Sequence, residues 1–254
     1  MHVIIAEHDE LASCGADAVE DALRSREDPV LGLATGSSPL PIYDEIARRH
    51  RDHGLSLARA RAFLLDEYVG LPADHRENYR NVIDRELVSR VDLDPDRVYG
   101  LDGLAGDLSA AAASYEDAIA AAGGVDLQIL GIGTDGHIAF NEPGSSFSSR
   151  CRVVALTEQT RRDNARFFDG EVDAVPRRAL SQGLGTIMSA RAIILVATGA
   201  AKAEAVHQLV EGAVSAMWPA TILQHHPDVT VLVDDAAASR LQLADYFREV
   251  RSLG

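Results

Sequence analysis

No stretch of this chain is long and apolar enough to cross a bilayer. Its longest uninterrupted apolar run, AIILVA at 192–197, falls far short of the roughly 20 residues a membrane helix needs. The first residues, MHVIIAEHDELAS, lack the basic start and long apolar stretch of a secretory signal. Cysteine is nearly absent too: Cys14 and Cys151 lie far apart with no CxxC spacing and read as ordinary thiols of a reducing cytoplasm. There is no linker rich in glycine, proline or serine and no fixed-period repeat, so one domain spanning 1–254 is expected. Basic residues are in deficit, 24 Lys and Arg against 39 Asp and Glu, and the net charge of −15 repels nucleic acid and anionic membranes. Neither is an expected partner. An anionic small molecule is not excluded, but local cations and backbone N–H groups must hold it against the overall field.

Three stretches share one grammar, an apolar run, a glycine turn and then a helical pattern: 29–49, 125–137 (with no clear helix after it) and 191–212. Their runs are continuously apolar rather than alternating, as in parallel strands covered on both faces. AFLLD (62–66) and VTVLVD (229–234) read as further strands, and LSAAAASYEDAIAAAG (108–123) as a helix. The expected fold is α/β: an open, mostly parallel, doubly wound (Rossmann-like) sheet with helices on both faces. Ligands then belong at the carboxyl ends of the strands, where the glycine turns fall.

One of those turns, GTDGHIAFNEP at 133–143, gathers Asp135, His137 and Glu142. G131-x-G133-x-x-G136 fits the dinucleotide fingerprint. Pro143 arrives where a helix should run, however, and the acid expected at the end of the next strand is missing, since CRVVAL ends in Thr157. A nicotinamide or flavin cofactor is not expected. Asp135, His137 and Glu142 could make a set of three metal ligands, yet no strong ligand spacing such as HExxH appears, and no metal is expected. A hydrogen-bonded structural histidine among solvated acids is the plain alternative. A proton relay fits best: an imidazole acid/base with carboxylates fixing its tautomer and charge.

LATGSSP (33–39) reads as an anion cradle, with glycine for close approach, Ser37 and Ser38 as hydroxyl donors and helix cap, and Pro39 at the first helical position. A plain capped helix fits it equally well. Lys202 opposes the dipole of the helix it opens; it is either a solvent-facing residue or the cation a phosphate needs. Arg166 has the same two readings. In DEYVGLP, Asp66 or Glu67 is a candidate base of raised pKa. Asp66 is preferred as the first to leave its strand, against a pair of surface acids.

LATGSSP, LLDEYVGLP, GIGTDGHIAFNEP, ARFFDG and GAAKAEAV, in this order, resemble the glucosamine-6-phosphate deaminase (isomerase) family, over about residue 3 to Tyr246. The resemblance implies that D-glucosamine 6-phosphate and water give D-fructose 6-phosphate and ammonium in amino sugar catabolism, without metal or organic cofactor. His137 would open the pyranose ring, oriented by Asp135 and Glu142, and Asp66 would move a proton from C2 to C1. Thr35, Gly36, Ser37, Ser38, Arg166 and Lys202 would hold the phosphate, and about 155–183 would form a mobile lid. Some members are hexamers activated by N-acetylglucosamine 6-phosphate. Ser145, Arg152 and Tyr246 match that activator site, but Val154 and Ala155 stand where activated members carry lysine and threonine, so activation is expected to be weak or absent. A homo-oligomer is left open. The rivals are 6-phosphogluconolactonase, which needs no base at C2, and a sugar-phosphate-sensing domain, which would want a DNA-binding segment and a basic face.

Overall fold

The structure, a computed structural model, describes residues 1–252; the last two positions of the expected 1–254 domain lie outside the described residues. In chain order its first half comprises β1 (His2–Ile5), α1 (His8–Ser25), β2 (Val30–Leu33), α2 (Leu40–His53), β3 (Arg61–Leu64), β4 (Asp66–Tyr68), α3 (Tyr79–Glu86), β5 (Val98–Tyr99) and α4 (Leu108–Ala121). The second half comprises β6 (Leu127–Leu130), β7 (Arg152–Ala155), α5 (Glu158–Asn164), β8 (Arg178–Ser181), α6 (Leu184–Ile187), β9 (Ala192–Ala197), α7 (Ala203–Glu211), β10 (Val229–Val233) and α8 (Ala244–Ser252).

Seven strands form one sheet in the order β1-β10-β9-β6-β2-β3-β5, and every pairing in it is parallel. The residues of β2 and β6 are buried throughout, which explains why, Gln128 apart, both strands are apolar: a parallel sheet covered on both faces has no solvent-facing side. The expected architecture is therefore present, and no helix among the described residues is long and apolar enough to span a membrane.

The order of strands fixes where a ligand can sit. From β2 the chain moves outward through β3 to β5, then returns to the other side of β2 as β6 and continues to β9 and β10. Between β2 and β6 the connections diverge, and a crevice opens beyond the carboxyl ends of these strands.

One expectation needs correction. AFLLD is not a single strand: β3 stops at Leu64, and Asp66 begins β4 in a second, antiparallel sheet of order β4-β8-β7. Leu65 donates its N–H to Leu33 O (3.2 Å), the last step along the large sheet, while its carbonyl accepts from Gln182 N (2.8 Å). That switch of partner turns the chain out of the parallel sheet. The small sheet has its own core, built on Tyr68, Phe140, Phe168, Val175 and Ala179. Much of the segment expected to act as a lid packs there.

Candidate active site

Four neighbouring strands, β9, β6, β2 and β3, deliver their carboxyl-terminal loops to one edge. These loops carry Lys202, His137, the 35–38 turn and Asp66, and all of these residues line one cleft of about 250 Å³. Arg166 reaches the same cleft from the short 3-10 turn after α5. Asp135 and Glu142 do not line it; they sit behind His137.

The imidazole is held from its inner side. His137 Nδ1 lies 2.7 Å from Asp135 Oδ1 and 3.8 Å from Glu142 Oε2, and Asp135 also accepts from the His137 backbone N–H at 3.2 Å. The Nδ1–Asp135 bond assigns the proton to Nδ1 and leaves Nε2 for the cleft. Gly133 is required by this packing: a Cβ there would stand 2.2 Å from both Cε1 and Nδ1 of His137.

The two acids are shifted in opposite directions. Burial raises the Asp135 carboxyl, but its hydrogen bond with His137 and the imidazolium charge outweigh that and draw it down to about 2. Burial dominates at Glu142 and raises it, against the opposing hydrogen bond from Thr157 N–H (2.9 Å). Glu142 Oε2 has no hydrogen-bond partner among the described residues. Two carboxyls beside one imidazole, shifted in opposite directions, are suited to an acid–base relay. The ligand atoms of Asp135, His137 and Glu142 lie within 4.8 Å of one another, so by reach alone they could hold a cation. A carboxylate already hydrogen-bonded to Nδ1, with its neighbour pushed toward protonation, suits a proton better than a divalent ion.

Asp66 and Glu67 point opposite ways, as successive residues of a strand must. Glu67 turns onto the backbone and accepts from Tyr68 N and Tyr79 N, both at 2.8 Å; burial still raises its pKa to about 7. Asp66 faces the cleft, is 7% exposed, and receives no hydrogen bond from any described residue. Desolvation, with the charge of Glu67 second, pushes its carboxyl well above the usual range. It is a buried base with no partner of its own.

The 35–38 turn is positioned by Tyr43, whose hydroxyl donates to Ala34 O (2.7 Å) and accepts from Ala34 N (3.1 Å). Gly36 adopts φ +98, open only to glycine at little cost. The expected serine cap is not made: α2 starts after Pro39 with no side-chain cap. The hydroxyls of Ser37 and Ser38 line the cleft instead, and the first N–H of this helix to find a backbone acceptor is that of Ile42. Unused donors at a helix start make an anion site. Lys202 is only partly exposed; burial and the nearby Arg166 guanidinium lower its pKa, opposed by Asp163 and Asp135. Two cations crowded together favour an anion between them.

Several cleft residues were not singled out by sequence. Tyr79, partly buried at the start of α3, and Asn164, whose amide donates to Tyr68 Oη (3.0 Å), belong to segments without strand-and-glycine grammar. Asn141 is fully buried and ties the NEP turn down by donating to Ile138 O (3.0 Å) and Gln182 O (2.8 Å). The asparagine of NEP was the signal available for it. Of the residues matched to an activator site, Arg152 donates to Ser145 Oγ (3.3 Å) and Asn141 Oδ1 (2.9 Å). Tyr246 is exposed on α8, which packs on β1 at the outer edge of the sheet.

Residues 6–232 match the profile of the family described as glucosamine-6-phosphate isomerases/6-phosphogluconolactonase. The chain is 66% identical over 247 residues to a glucosamine-6-phosphate deaminase of Beutenbergia cavernae, covering 97% of this chain and 95% of that one. A glucosamine-6-phosphate deaminase of Mycolicibacterium smegmatis is 64% identical with the same coverage. Among solved structures, one described as a monomeric glucosamine-6-phosphate deaminase superposes with a TM-score of 0.92 at 42% identity, over 94% of this chain and 99% of the other. The 6-phosphogluconolactonase of Trypanosoma brucei, at TM-score 0.74 and 24% identity over 94% and 98% of the two chains, shares the fold.

Proposed function

The chain belongs to the glucosamine-6-phosphate isomerase/6-phosphogluconolactonase family, and from that premise we propose that it converts D-glucosamine 6-phosphate and water to D-fructose 6-phosphate and ammonium. One observation carries the choice within the family: a buried, unpartnered Asp66 and a carboxylate-backed His137 face the same cleft. Hydrolysis of a lactone needs no base for a carbon-bound proton; aldose–ketose isomerisation does.

The phosphate is received by the Thr35–Ser38 turn, Arg166 and Lys202, which fixes the sugar relative to the two proton-transfer groups. His137 protonates the ring oxygen through Nε2 as the anomeric hydroxyl loses its proton, and the pyranose opens to the aldehyde. Asp135 stabilises the imidazolium formed along the way, and Glu142 tunes it from the other side. Asp66 removes the C2 proton, giving an enolamine, and returns a proton at C1. The C2 iminium then adds water and expels ammonia, leaving the ketone. Desolvation that raises the Asp66 pKa makes its ionised form a stronger base for this carbon acid. A sugar-phosphate substrate supports a cytoplasmic location for the enzyme.

An enzyme-coupled ammonia assay on glucosamine 6-phosphate, run beside a lactone-hydrolysis assay, tests the reading. Ammonia release without lactonase activity is expected. Lactone hydrolysis alone would move the protein to the other branch of its family, and binding without turnover would make it a sensor.

A further inference from the structure

The proposed phosphate subsite contains an acid as well as its cations. Asp163, in the last turn of α5, lines the cleft together with Arg166 and Lys202. An acid at that end of a helix opposes the macrodipole, which offsets what its i,i+4 hydrogen bond from Gln159 contributes to α5. It is not free to swing away. Its Oδ2 accepts from Thr134 Oγ1 and its Oδ1 from Gln159 Nε2, both at 2.8 Å, which fixes both oxygens. Asp163 acts on the Lys202 ammonium through its charge, yet among the described residues neither Lys202 nor Arg166 makes a contact ion pair. The carboxylate therefore stands near the phosphate position without occupying it.

We propose that Asp163 is an affinity-setting residue of the phosphate subsite: its fixed carboxylate opposes the bound dianion and keeps sugar phosphates from being held too tightly to leave. This rests on the reading of Lys202 and Arg166 as phosphate ligands. Since substrate and product carry the same phosphate, the effect is one of uniform binding and acts on KM. Of the charged side chains at the proposed subsite, Lys202 and Arg166 attract a bound dianion and Asp163 repels it, so removing that repulsion strengthens binding. The hydrogen bond to Thr134, in the loop that carries His137, holds the acid in place as α5 approaches that loop.

Calorimetric binding of inorganic phosphate to Asp163→Asn, at mildly alkaline pH where phosphate is the dianion, tests this. The amide keeps the side chain's shape and removes its charge. The expected dissociation constant falls by roughly five- to tenfold, the scale of one screened like charge lining the same subsite, and KM for glucosamine 6-phosphate falls with it while kcat does not rise. Asp163→Ala is expected to change both in the same direction and serves if the asparagine variant is poorly folded. An unchanged or weakened affinity in the folded variant would overturn the proposal, since a residue that merely supports the cations loosens phosphate when removed. Lys202→Ala separates this from the reading beneath it. If that variant binds phosphate as the wild type does, the subsite itself is misplaced, whereas loss of binding there with no tightening in Asp163→Asn removes only the role of Asp163.

Discussion

At residue scale the imidazole of His137 depends on an atom that is missing. A methyl group on Gly133 would overlap the ring at 2.2 Å, so Gly133→Ala must rotate His137 away from Asp135 or shift the loop. Since a misplacement of about 1 Å at a reacting group can cost about a hundredfold in rate, kcat is expected to fall by about that factor while the phosphate contacts hold KM nearly steady. Steady-state kinetics with thermal melting would check it; a wild-type kcat in the folded variant would show that the imidazole's position is not critical. Asp66 gives a second expectation, in stability rather than rate. Its folded pKa is raised, so above about pH 4, the ordinary aspartate value, the unfolded chain has lost a proton that the folded one retains, and stability falls as pH rises. Asp66→Asn removes that penalty. The variant is expected to melt above the wild type at neutral pH, with the gap closing toward about pH 4. A variant less stable than the wild type at pH 7, once its fold is verified, would contradict a strained buried carboxyl. Glu67, raised to about 7 for the same reason, keeps its own share of this pH dependence in both proteins.

At element scale α5 is tied at both ends to the loop that bears the relay. Its cap residue Thr157 accepts from Thr160 N (3.1 Å) through its hydroxyl and gives its backbone N–H to Glu142; its other end is tied through Asp163 to Thr134. Thr157→Ala removes the cap, worth about 1 kcal/mol, and loosens the peptide that holds Glu142. A loss of stability of that size with a lower kcat is expected by melting and steady-state rates; lost stability with unchanged turnover would uncouple α5 from the relay. This element also shows where sequence reading stopped. The β2, β6 and β9 runs were legible because burial on both faces leaves them almost wholly apolar, with Gln128 of β6 the one polar residue among the three strands, and the glycine turns that follow marked the ligand edge. The small antiparallel sheet was not foreseen. Its strands are short, β7 is only partly buried, and β4 continues from β3 with one residue between them. The acid of this pair that faces the cleft, Asp66, could therefore be read from the sequence, while the strand it belongs to could not. The unused serine cap has a similar cause: a composition that suits a helix start also suits an anion cradle, and only the geometry separates the two.

At the scale of the whole molecule, a chain of net charge −15 gathers a few cations at the switch point of its sheet, where the phosphate ester is proposed to bind. Every group proposed for the chemistry comes from one chain. The activator residues are less complete. Arg152 is engaged with Ser145 and Asn141, Tyr246 lies on α8 against the outer strand, and Val154 and Ala155 offer neither charge nor hydroxyl. N-acetylglucosamine 6-phosphate is expected to leave the substrate saturation curve where it is, and a clear leftward shift would show an effector site this reading misses. The account as a whole turns on the buried aspartate as the base at carbon. Its most direct test is nuclear magnetic resonance of substrate and product in deuterium oxide with Asp66→Asn. The expected result is that the variant binds glucosamine 6-phosphate but neither exchanges the C2 proton with solvent nor delivers deuterium to C1; exchange at the wild-type rate would contradict it.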